Sequence, residues 1–397
     1  MRPVLILCAR TWGQFGNLNA AKRLALLLAP HFGGEREIVV EPAEPWSPVI
    51  AESGRKMREI AAGSAGPEQR RSRYLALIGA LESRFPAGFE TEPGPIGADV
   101  APFAERIAQI DPEIVVGTKG FISRLAQAAL GGARLATPVV NYVTNDGLLT
   151  LPLHRTAPEI LNLVQTEFGG RMLAGHPRAR IVGPLVGRRE AGSRPADPDP
   201  RPLVAILCNR NPEYRRLYEA LAALGEAVRV RTVIMGCPEL LDDVRARAPA
   251  HWQVWDAQAV ETYLDLLAEL ATAQTSLLVT KSAPNSVLEA VAAGVPVLAL
   301  DSGLPMERWV GGLVAERGLG WSISKLDEAI ATLGGLLADP GRIRAMAAST
   351  RAYAADVIDN VRNAATIHRA LVDEINLGGR TGEIRCRSST YPISFPI

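Results

Sequence analysis

Two segments of this chain, about half its length apart, begin with the same pattern. Residues 3–10 and 202–210 each consist of a proline, a short apolar run and a polar loop, and helical patterns follow at residues 20–28 and 214–224. A buried strand that stops in a loop and leads into a helix begins a βαβ unit. The repeat therefore predicts an α/β fold with two Rossmann-like, doubly wound domains. Two buried strands can also resemble each other by chance, which is the alternative interpretation.

The length and one proline-rich interruption set the predicted domain boundaries. A chain of 397 residues is longer than one hydrophobic core usually organises. Residues 188–202 contain four closely spaced prolines and almost no large apolar residue, as is typical of a linker. We predict an N-terminal domain at residues 1–187, a C-terminal domain at 203–376 and a polar, irregular or disordered tail at 377–397.

Short apolar runs in both halves are typical of buried parallel strands. They occupy residues 38–40, 114–116, 138–143, 160–164, 228–235, 252–255, 276–279 and 295–300. The pattern of residues 339–371 predicts one long helix. The arginine-bearing stretches at 55–60 and 69–84 predict solvated helix faces, with an acceptor or membrane contact as the alternative.

Charge and cysteine content argue against several classes of protein. The formal net charge of +1 argues against nucleic acid as the main partner, because neutralising phosphates needs a strong basic excess. The four cysteines are scattered without metal-type spacing and suit a reducing cytoplasm. No apolar stretch reaches the roughly 20 residues that span a bilayer, so we expect a cytoplasmic protein with at most peripheral membrane contact. Asp197-Pro-Asp199 has the spacing of a metal-binding motif, but a proline-rich linker is a poor metal site, and we predict no metal and no cofactor.

Residues 277–300 carry the clearest chemical signal. A strand that ends at Val279 leads through a loop of small residues into a helix that begins near Ser286 and stops at Gly294. The free N–H groups and positive dipole end of such a helix bind phosphate without a metal. Glu289 follows Ser286 by three residues, where its carboxylate can accept hydrogen bonds from a ribose diol. The alternative is a capping box, with Ser286 as N-cap and Glu289 as its partner.

This segment resembles glycosyltransferase family 28, which includes monogalactosyldiacylglycerol synthases, bacterial diacylglycerol glucosyltransferases and the lipid II-forming N-acetylglucosaminyltransferase. The family pattern is Thr-Lys-x-Gly-Pro-Gly-Thr, a helix with Glu-Ala, and then Gly-x-Pro. The residues that match it in register are Thr280, Lys281, Pro284, Glu289, Ala290, Gly294 and Pro296. Pro305-Met306-Glu307 stands where the family has Gly-Gln-Glu, and the spacing agrees over residues 263–321.

The resemblance implies a GT-B fold, in which an acceptor domain precedes a nucleotide-sugar domain and the reaction takes place in the cleft between them. It implies that Glu289 holds the ribose and that Glu307 holds the donor sugar. The residues that it places at the diphosphate are Ser282, Asn285 and Ser286. The chain departs from the family where Ala283 and Asn285 replace loop glycines. Met306 replaces a glutamine at the donor sugar, which removes a hydrogen bond.

The acceptor side is predicted from the loop after the first strand and from residues 143–154. Gly16 and Asn17 end that loop, and Asn17 stands in place of the family's histidine, so it cannot act as a general base. Asp146, in a segment similar to the family's Val-x-Thr-Asp, is the predicted base, with His154 second. The alternatives are a turn residue for Asp146 and a structural role for His154. Arg210 is a candidate for the phosphate site, with an exposed turn as its alternative.

Together these features predict an inverting glycosyltransferase of the hexosyltransferase type. It would move a sugar from a nucleoside diphosphate donor, with UDP the expected nucleotide, to a hydroxyl of a lipid-linked or antibiotic-type secondary-metabolite acceptor. One alternative is a non-hydrolysing UDP-sugar epimerase of the same fold. Another is a catalytically inactive binding protein of the same fold.

Overall fold

The computed structural model describes residues 1–9, 16–62, 67–84, 97–132, 136–187, 189, 195–209, 212–235, 237–256 and 260–388. The chain divides into two compact units, each with its own sheet. The first unit comprises Met1–Arg58, Leu77–Gly183 and the chain from Asn360, and the second comprises Glu59–Ala76 and Pro184–Asp359.

The first unit contains a sheet of six parallel strands. The strands are β1 (Val4–Cys8), β2 (Ile38–Pro42), β3 (Ile114–Gly117), β4 (Val139–Tyr142), β5 (Leu161–Val164) and β6 (Ala179–Ile181). They lie in the order β2-β1-β3-β4-β5-β6, so the winding reverses between β1 and β3. The inner strands are fully buried. Of the edge strands, β2 is half-buried and β6 is exposed. This burial pattern is the one expected of a sheet with helices on both faces.

Helices connect these strands as parallel crossovers require. They are α1 (Gly16–Leu28), α2 (Pro48–Ala62), α3 (Pro67–Arg84), α4 (Gly97–Ile110), α5 (Gly120–Gly132) and α6 (Glu167–Met172). Two short 3-10 helices, Asp146–Thr150 and Pro152–His154, follow β4.

The second unit has its own six-stranded parallel sheet. The strands are β7 (Leu203–Asn209), β8 (Arg229–Met235), β9 (Gln253–Asp256), β10 (Ser276–Lys281), β11 (Val297–Leu300) and β12 (Gly320–Ile323). Their order, β12-β11-β10-β7-β8-β9, is the doubly wound order of dinucleotide-binding sheets, with the reversal between β7 and β10. The strands predicted from apolar runs are confirmed in both sheets, whereas β6 and β12 had no such prediction.

The α-helices that the structure describes between residues 215 and 357 cover the sheet of the second unit. They are α7 (Arg215–Ala222), α8 (Pro238–Arg247), α9 (Val260–Thr272), α10 (Pro284–Ala292), α11 (Arg308–Glu316), α12 (Leu326–Ala338) and α13 (Pro340–Val357). In the parts of the chain that the structure describes, no helix combines the length and the apolar character that a membrane span requires.

The last helix corrects the predicted end of the C-terminal domain. α13 ends at Val357 and α14 (Asn360–Ser388) begins anew, so the long helix predicted at residues 339–371 is two helices. α14 belongs to the first unit, where it contacts α1. It does so because its apolar stripe, with Ile367 and Leu371 fully buried, needs a partner surface. The second unit therefore ends at residue 359 and not at 376, and residues 377–388 extend this helix instead of forming an irregular tail.

The predicted linker at residues 188–202 is also corrected in its second half. Asp197 forms a β-bridge with Ala273, and its carboxylate forms an ion pair with Arg229 of the second unit. Arg229 also contacts the carboxylate of Asp199 at 3.4 Å. Residues 195–202 are therefore fixed to the second unit, because charge pairing ties this proline-rich segment to β8. Of the rest of the predicted linker, only residue 189 lies within the described residues.

Candidate functional site

The reversal point of the second sheet locates the candidate site. In open parallel sheets, ligands bind beyond the carboxyl ends of the strands where the winding reverses. In this unit those strands are β7 and β10. The loop after β10 leads into α10, whereas Arg210, the next residue in sequence after β7, lies outside the described residues.

Ser282 anchors the loop after β10. Its backbone N–H and its hydroxyl both donate to the carbonyl oxygen of Leu300, at 2.8 and 2.9 Å. The residue is 2% exposed. Ser282 therefore ties the loop to the end of β11. Its predicted contact with the diphosphate stays a prediction.

The start of α10 lies two residues earlier than predicted. The helix begins at Pro284, and its N-cap, Ala283, has extended backbone and no side-chain capping bond. Proline suits this first helical position because its fixed φ fits the helix and its missing N–H costs no bond there. The capping-box interpretation is therefore wrong, since Ser286 and Glu289 both lie inside the helix. Gly294, with φ of 74°, ends the helix as predicted.

The first turn of α10 presents Asn285 and Ser286. Both residues are half-buried, and their N–H groups precede the first intrahelical bond, from Val287 N to the carbonyl oxygen of Ala283 at 3.0 Å. Tyr263 donates its hydroxyl to the carbonyl oxygen of Ser286 at 2.8 Å, which holds this turn in place. The N–H groups and the positive end of the helix dipole together form an anion-binding position.

Glu289 lies one turn further along the same helix face as Asn285 and Ser286, because residues three and four apart are neighbours on a helix. Its side chain is largely buried, with the residue 6% exposed, and one carboxylate oxygen accepts a hydrogen bond from Gly187 N at 3.3 Å. A carboxylate offers about four acceptor positions, enough to hold Gly187 and a diol together. The arrangement can therefore hold an anion at the helix start and hydroxyl groups one turn below.

Glu307 lies at the neighbouring strand end. It closes the 3-10 helix Pro305–Glu307 after β11 and is largely buried. Lys281, the last residue of β10, donates its ammonium to both oxygens of this carboxylate, at 3.1 and 3.5 Å. Met306 is half-buried beside it. From the sequence, Lys281 was identified as part of the family pattern but not as the residue that orients Glu307.

In the first unit, the structure places Gly16 and Asn17 at the start of α1. Asn17 is buried, and its amide oxygen accepts a hydrogen bond from the hydroxyl of Thr144 at 3.2 Å. The same hydroxyl lies 3.5 Å from the carbonyl oxygen of Thr118. Asn17 therefore links α1 to the loops after β3 and β4, while residues 10–15 lie outside the described residues.

Asp146 is fully buried and holds the turn between β5 and α6. Its carboxylate accepts hydrogen bonds from Gln165 N at 3.0 Å, Thr166 N at 2.8 Å and the Thr166 hydroxyl at 2.5 Å. A Cβ on Gly169 would lie 2.6 Å from its carboxyl carbon, so the packing is tight. Burial raises the pKa of Asp146 to about 6, although the hydrogen bonds lower it. This geometry favours the structural alternative, and a role as base stays a prediction.

His154 is also buried, with its ring 5.7 Å from that of Phe121. Burial and the charges of Lys119 and Arg124 hold the pKa of His154 well below its ordinary value. Lys119 lies two residues after the end of β3 and is itself buried, which lowers its pKa to about 7. Sequence reasoning missed Lys119, although a lysine between a buried strand and the following helix is the signal that could have identified it.

Among the solved structures that are similar to this chain are two that match most of it. One is a UDP-glucosyltransferase from Polygonum tinctorium that is capable of glucosylating indoxyl, in complex with 3,4-dichloroaniline. The two sequences are 16% identical, the TM-score is 0.58, and the match covers 96% of this chain and 99% of that chain. The other is MurG from Acinetobacter baumannii, with 14% identity, a TM-score of 0.56, and coverage of 89% of this chain and 95% of that chain. Neither a family model nor a curated protein sequence matches the chain.

The chain has the GT-B fold. This confirms the predicted architecture of two Rossmann-like domains. The second unit of this GT-B chain brings Asn285, Ser286 and Glu289 onto one helix face, with Glu307 at the next strand end. By contrast, the first unit buries Asp146 and His154 in its interior.

Proposed function

We propose that this chain is an inverting glycosyltransferase that uses a nucleoside diphosphate sugar, with UDP as the nucleotide. The observation that carries the proposal is the first turn of α10 at the reversal point of the second sheet, with the carboxylate of Glu289 one turn below. Main-chain N–H groups there suit a pyrophosphate, and a buried carboxylate suits a ribose diol. The similar structure of a UDP-glucosyltransferase supports the choice of UDP.

In the proposed reaction, an acceptor hydroxyl oxygen attacks the anomeric carbon of the donor sugar from the face opposite the diphosphate. The new C–O bond forms as the bond to the diphosphate oxygen breaks, and that electron pair leaves with UDP. The acceptor proton passes to a base. Negative charge grows on the departing diphosphate, where the N–H groups of Asn285 and Ser286 offer stabilisation without a metal.

Glu307 would bind the donor sugar in this scheme. Its carboxylate, fixed by Lys281, accepts hydrogen bonds from sugar hydroxyls, whereas the thioether of Met306 is only a weak acceptor. The proposed acceptor is a hydroxyl on a lipid-linked or an antibiotic-type small molecule.

Calorimetric titration with UDP tests the proposal through Glu289. Wild type is expected to bind UDP, and Glu289→Ala is expected to lose at least about 100-fold in affinity, or about 3 kcal/mol, because charge-assisted hydrogen bonds to the ribose disappear. Glu219→Ala, which removes an exposed carboxylate of α7, serves as control and is expected to bind UDP as wild type does. Full UDP affinity in Glu289→Ala would remove the ribose assignment, and wild type without affinity for any nucleoside diphosphate would overturn the proposal.

A turnover assay separates transfer from epimerisation. UDP-glucose, UDP-galactose and UDP-N-acetylglucosamine are incubated singly, with and without a mixture of lipid-linked and small-molecule acceptors. We expect UDP release and a glycosylated product only when an acceptor is present. An isomerised donor sugar in the absence of acceptor would instead identify an epimerase.

A further inference from the structure

Tyr74, in the arginine-bearing stretch at residues 69–84, belongs to the second unit. Residues 59–76, which include the first part of α3, are part of that compact unit. Tyr74 lies in this part and is 1% exposed, although the flanking positions Arg73 and Leu75 are exposed. This stretch is therefore not a uniformly solvated face, because the side chain of Tyr74 is buried.

The hydroxyl of Tyr74 is buried and has no hydrogen-bond partner among the residues that the structure describes. Buried polar groups in folded proteins are normally paired, so an unpaired one calls for a ligand or a functional reason. Tyr218, another buried tyrosine of the same unit, shows the ordinary arrangement: its hydroxyl pairs with that of Thr232 at 2.6 Å.

The negative charge of the Glu307 carboxylate affects the pKa of Tyr74. Burial and, second, the negative charge of Glu307 raise the pKa of the Tyr74 phenol. The phenol is therefore protonated at neutral pH and available as a hydrogen-bond donor. Glu307 is in turn held by Lys281 at the carboxyl end of β10.

The side chains of Tyr74 and Glu307 offer complementary hydrogen bonding to a sugar. A sugar hydroxyl both donates and accepts, so it is best held by one acceptor and one donor. Glu307 supplies the acceptor and Tyr74 the neutral donor, while Met306, a weak acceptor, supplies no donor. We propose that Tyr74 is a specificity-determining residue of the donor site, whose hydroxyl donates to the sugar hydroxyl that Glu307 accepts from. This inference rests on the proposed function, and it assigns a donor-sugar contact to the N-terminal half of the sequence.

Tyr74→Phe tests this role, with Tyr218→Phe as the matched control. Both variants remove one buried hydroxyl from the second unit. Calorimetry is run with UDP and with UDP-glucose, UDP-galactose and UDP-N-acetylglucosamine. We expect Tyr74→Phe to bind UDP as wild type does and to lose about 10-fold in affinity for the UDP-sugar that wild type prefers. The ratio of its affinities for UDP-glucose and UDP-galactose, which differ at one hydroxyl, should also move closer to one. Tyr218→Phe should keep the wild-type affinity for every one of these ligands.

Two results would overturn the inference while leaving the proposed function intact. One is wild-type affinity of Tyr74→Phe for all the UDP-sugars. The other is an equal loss of affinity for UDP and for the UDP-sugars, which would assign Tyr74 to folding. A wild-type protein that binds no UDP would instead refute the proposed function itself, and the inference with it.

Discussion

The two units of this molecule place their candidate residues differently: the start of α10 in the second unit follows β10, where the winding reverses, whereas Asp146 and His154 in the first unit follow β4. In the second unit, the first turn of α10 leaves Asn285 and Ser286 half-buried with their N–H groups at the helix start. In the first unit, Asp146 and His154 are enclosed by neighbouring side chains and backbone. Binding through main-chain groups is a consequence of the strand-loop-helix geometry, whereas a catalytic side chain must also be accessible. The comparison therefore supports the donor site more strongly than the predicted acceptor-side residues.

Charge shows the same contrast. Burial shifts the pKa of Lys119 down and that of Asp146 up, so each moves toward its neutral form. In the second unit, Lys281 and Glu307 instead pair with each other. A residue whose charge is suppressed by burial should affect folding, whereas a residue near the helix start should affect ligand binding. The following predictions test this division.

The largest expected effect is at Lys119. Because its folded pKa of about 7 lies below its ordinary 10.5, the unfolded chain binds more protons between these values, and stability rises with pH across this window. The difference corresponds to about 5 kcal/mol. We expect Lys119→Met to be more stable than wild type at pH 7, with the gain shrinking toward pH 10.5. Urea unfolding at several pH values measures it, and a gain that does not change with pH would show that the lysine is charged when folded.

The next effect is at Asp146. Asp146→Ala leaves the N–H groups of Gln165 and Thr166 buried without their acceptor, so we expect a loss of about 3 kcal/mol in the free energy of unfolding. UDP affinity should not change. Because the folded pKa of about 6 exceeds the ordinary 3.8, this carboxyl group's contribution to stability is present below pH 3.8 and is lost as the pH rises through about 6. Asp146→Asn should remove that dependence.

Turnover decides between the two roles of Asp146. If Asp146 is only structural, its replacement should lower turnover only as far as it lowers the fraction of folded protein. If Asp146→Asn keeps wild-type stability and UDP affinity but loses turnover at every pH, Asp146 is the base, and the division between the two units fails.

The smallest effect is at the helix start. Asn285→Ala is expected to lose about 5-fold in UDP affinity, about 1 kcal/mol, because the side-chain amide at the first turn is removed while the main-chain N–H groups remain. Its free energy of unfolding should stay within about 0.5 kcal/mol of wild type, since the residue is half-buried. Loss of stability without loss of affinity would place Asn285 with the folding residues. Calorimetry and urea unfolding on the same samples give both numbers.

The parts of the structure that follow from local pattern could be predicted from the sequence. Apolar runs mark the buried strands, because a strand covered on both faces contains almost only apolar residues. The small residues before α10 and Gly294 after it mark a helix between two strands. The start of the helix was misplaced by two residues because a serine followed by a glutamate three residues later also fits a capping box.

The remaining features depend on tertiary contacts that no local pattern reveals. The helical pattern continues through residues 339–371, yet the chain breaks at Ile358 because its two parts pack on different units. Tyr74 belongs to an arginine-rich helix, and its inward position depends on the surface that residues 59–76 meet. The hydrogen bonds that enclose Asp146 come from Gln165 and Thr166, which lie 19 and 20 residues away in sequence.

Because α14 follows the second unit in sequence but belongs to the first, the two units become complete at different times during synthesis. The second unit draws only on residues up to 359, whereas the first lacks Ile367 and Leu371 until the ribosome has made the final helix. Until then, the surface of α1 that contacts α14 has no cover. The half of the molecule that is translated first is therefore the half that finishes folding last, and a nascent chain that stalls near residue 359 would expose an apolar surface to chaperones.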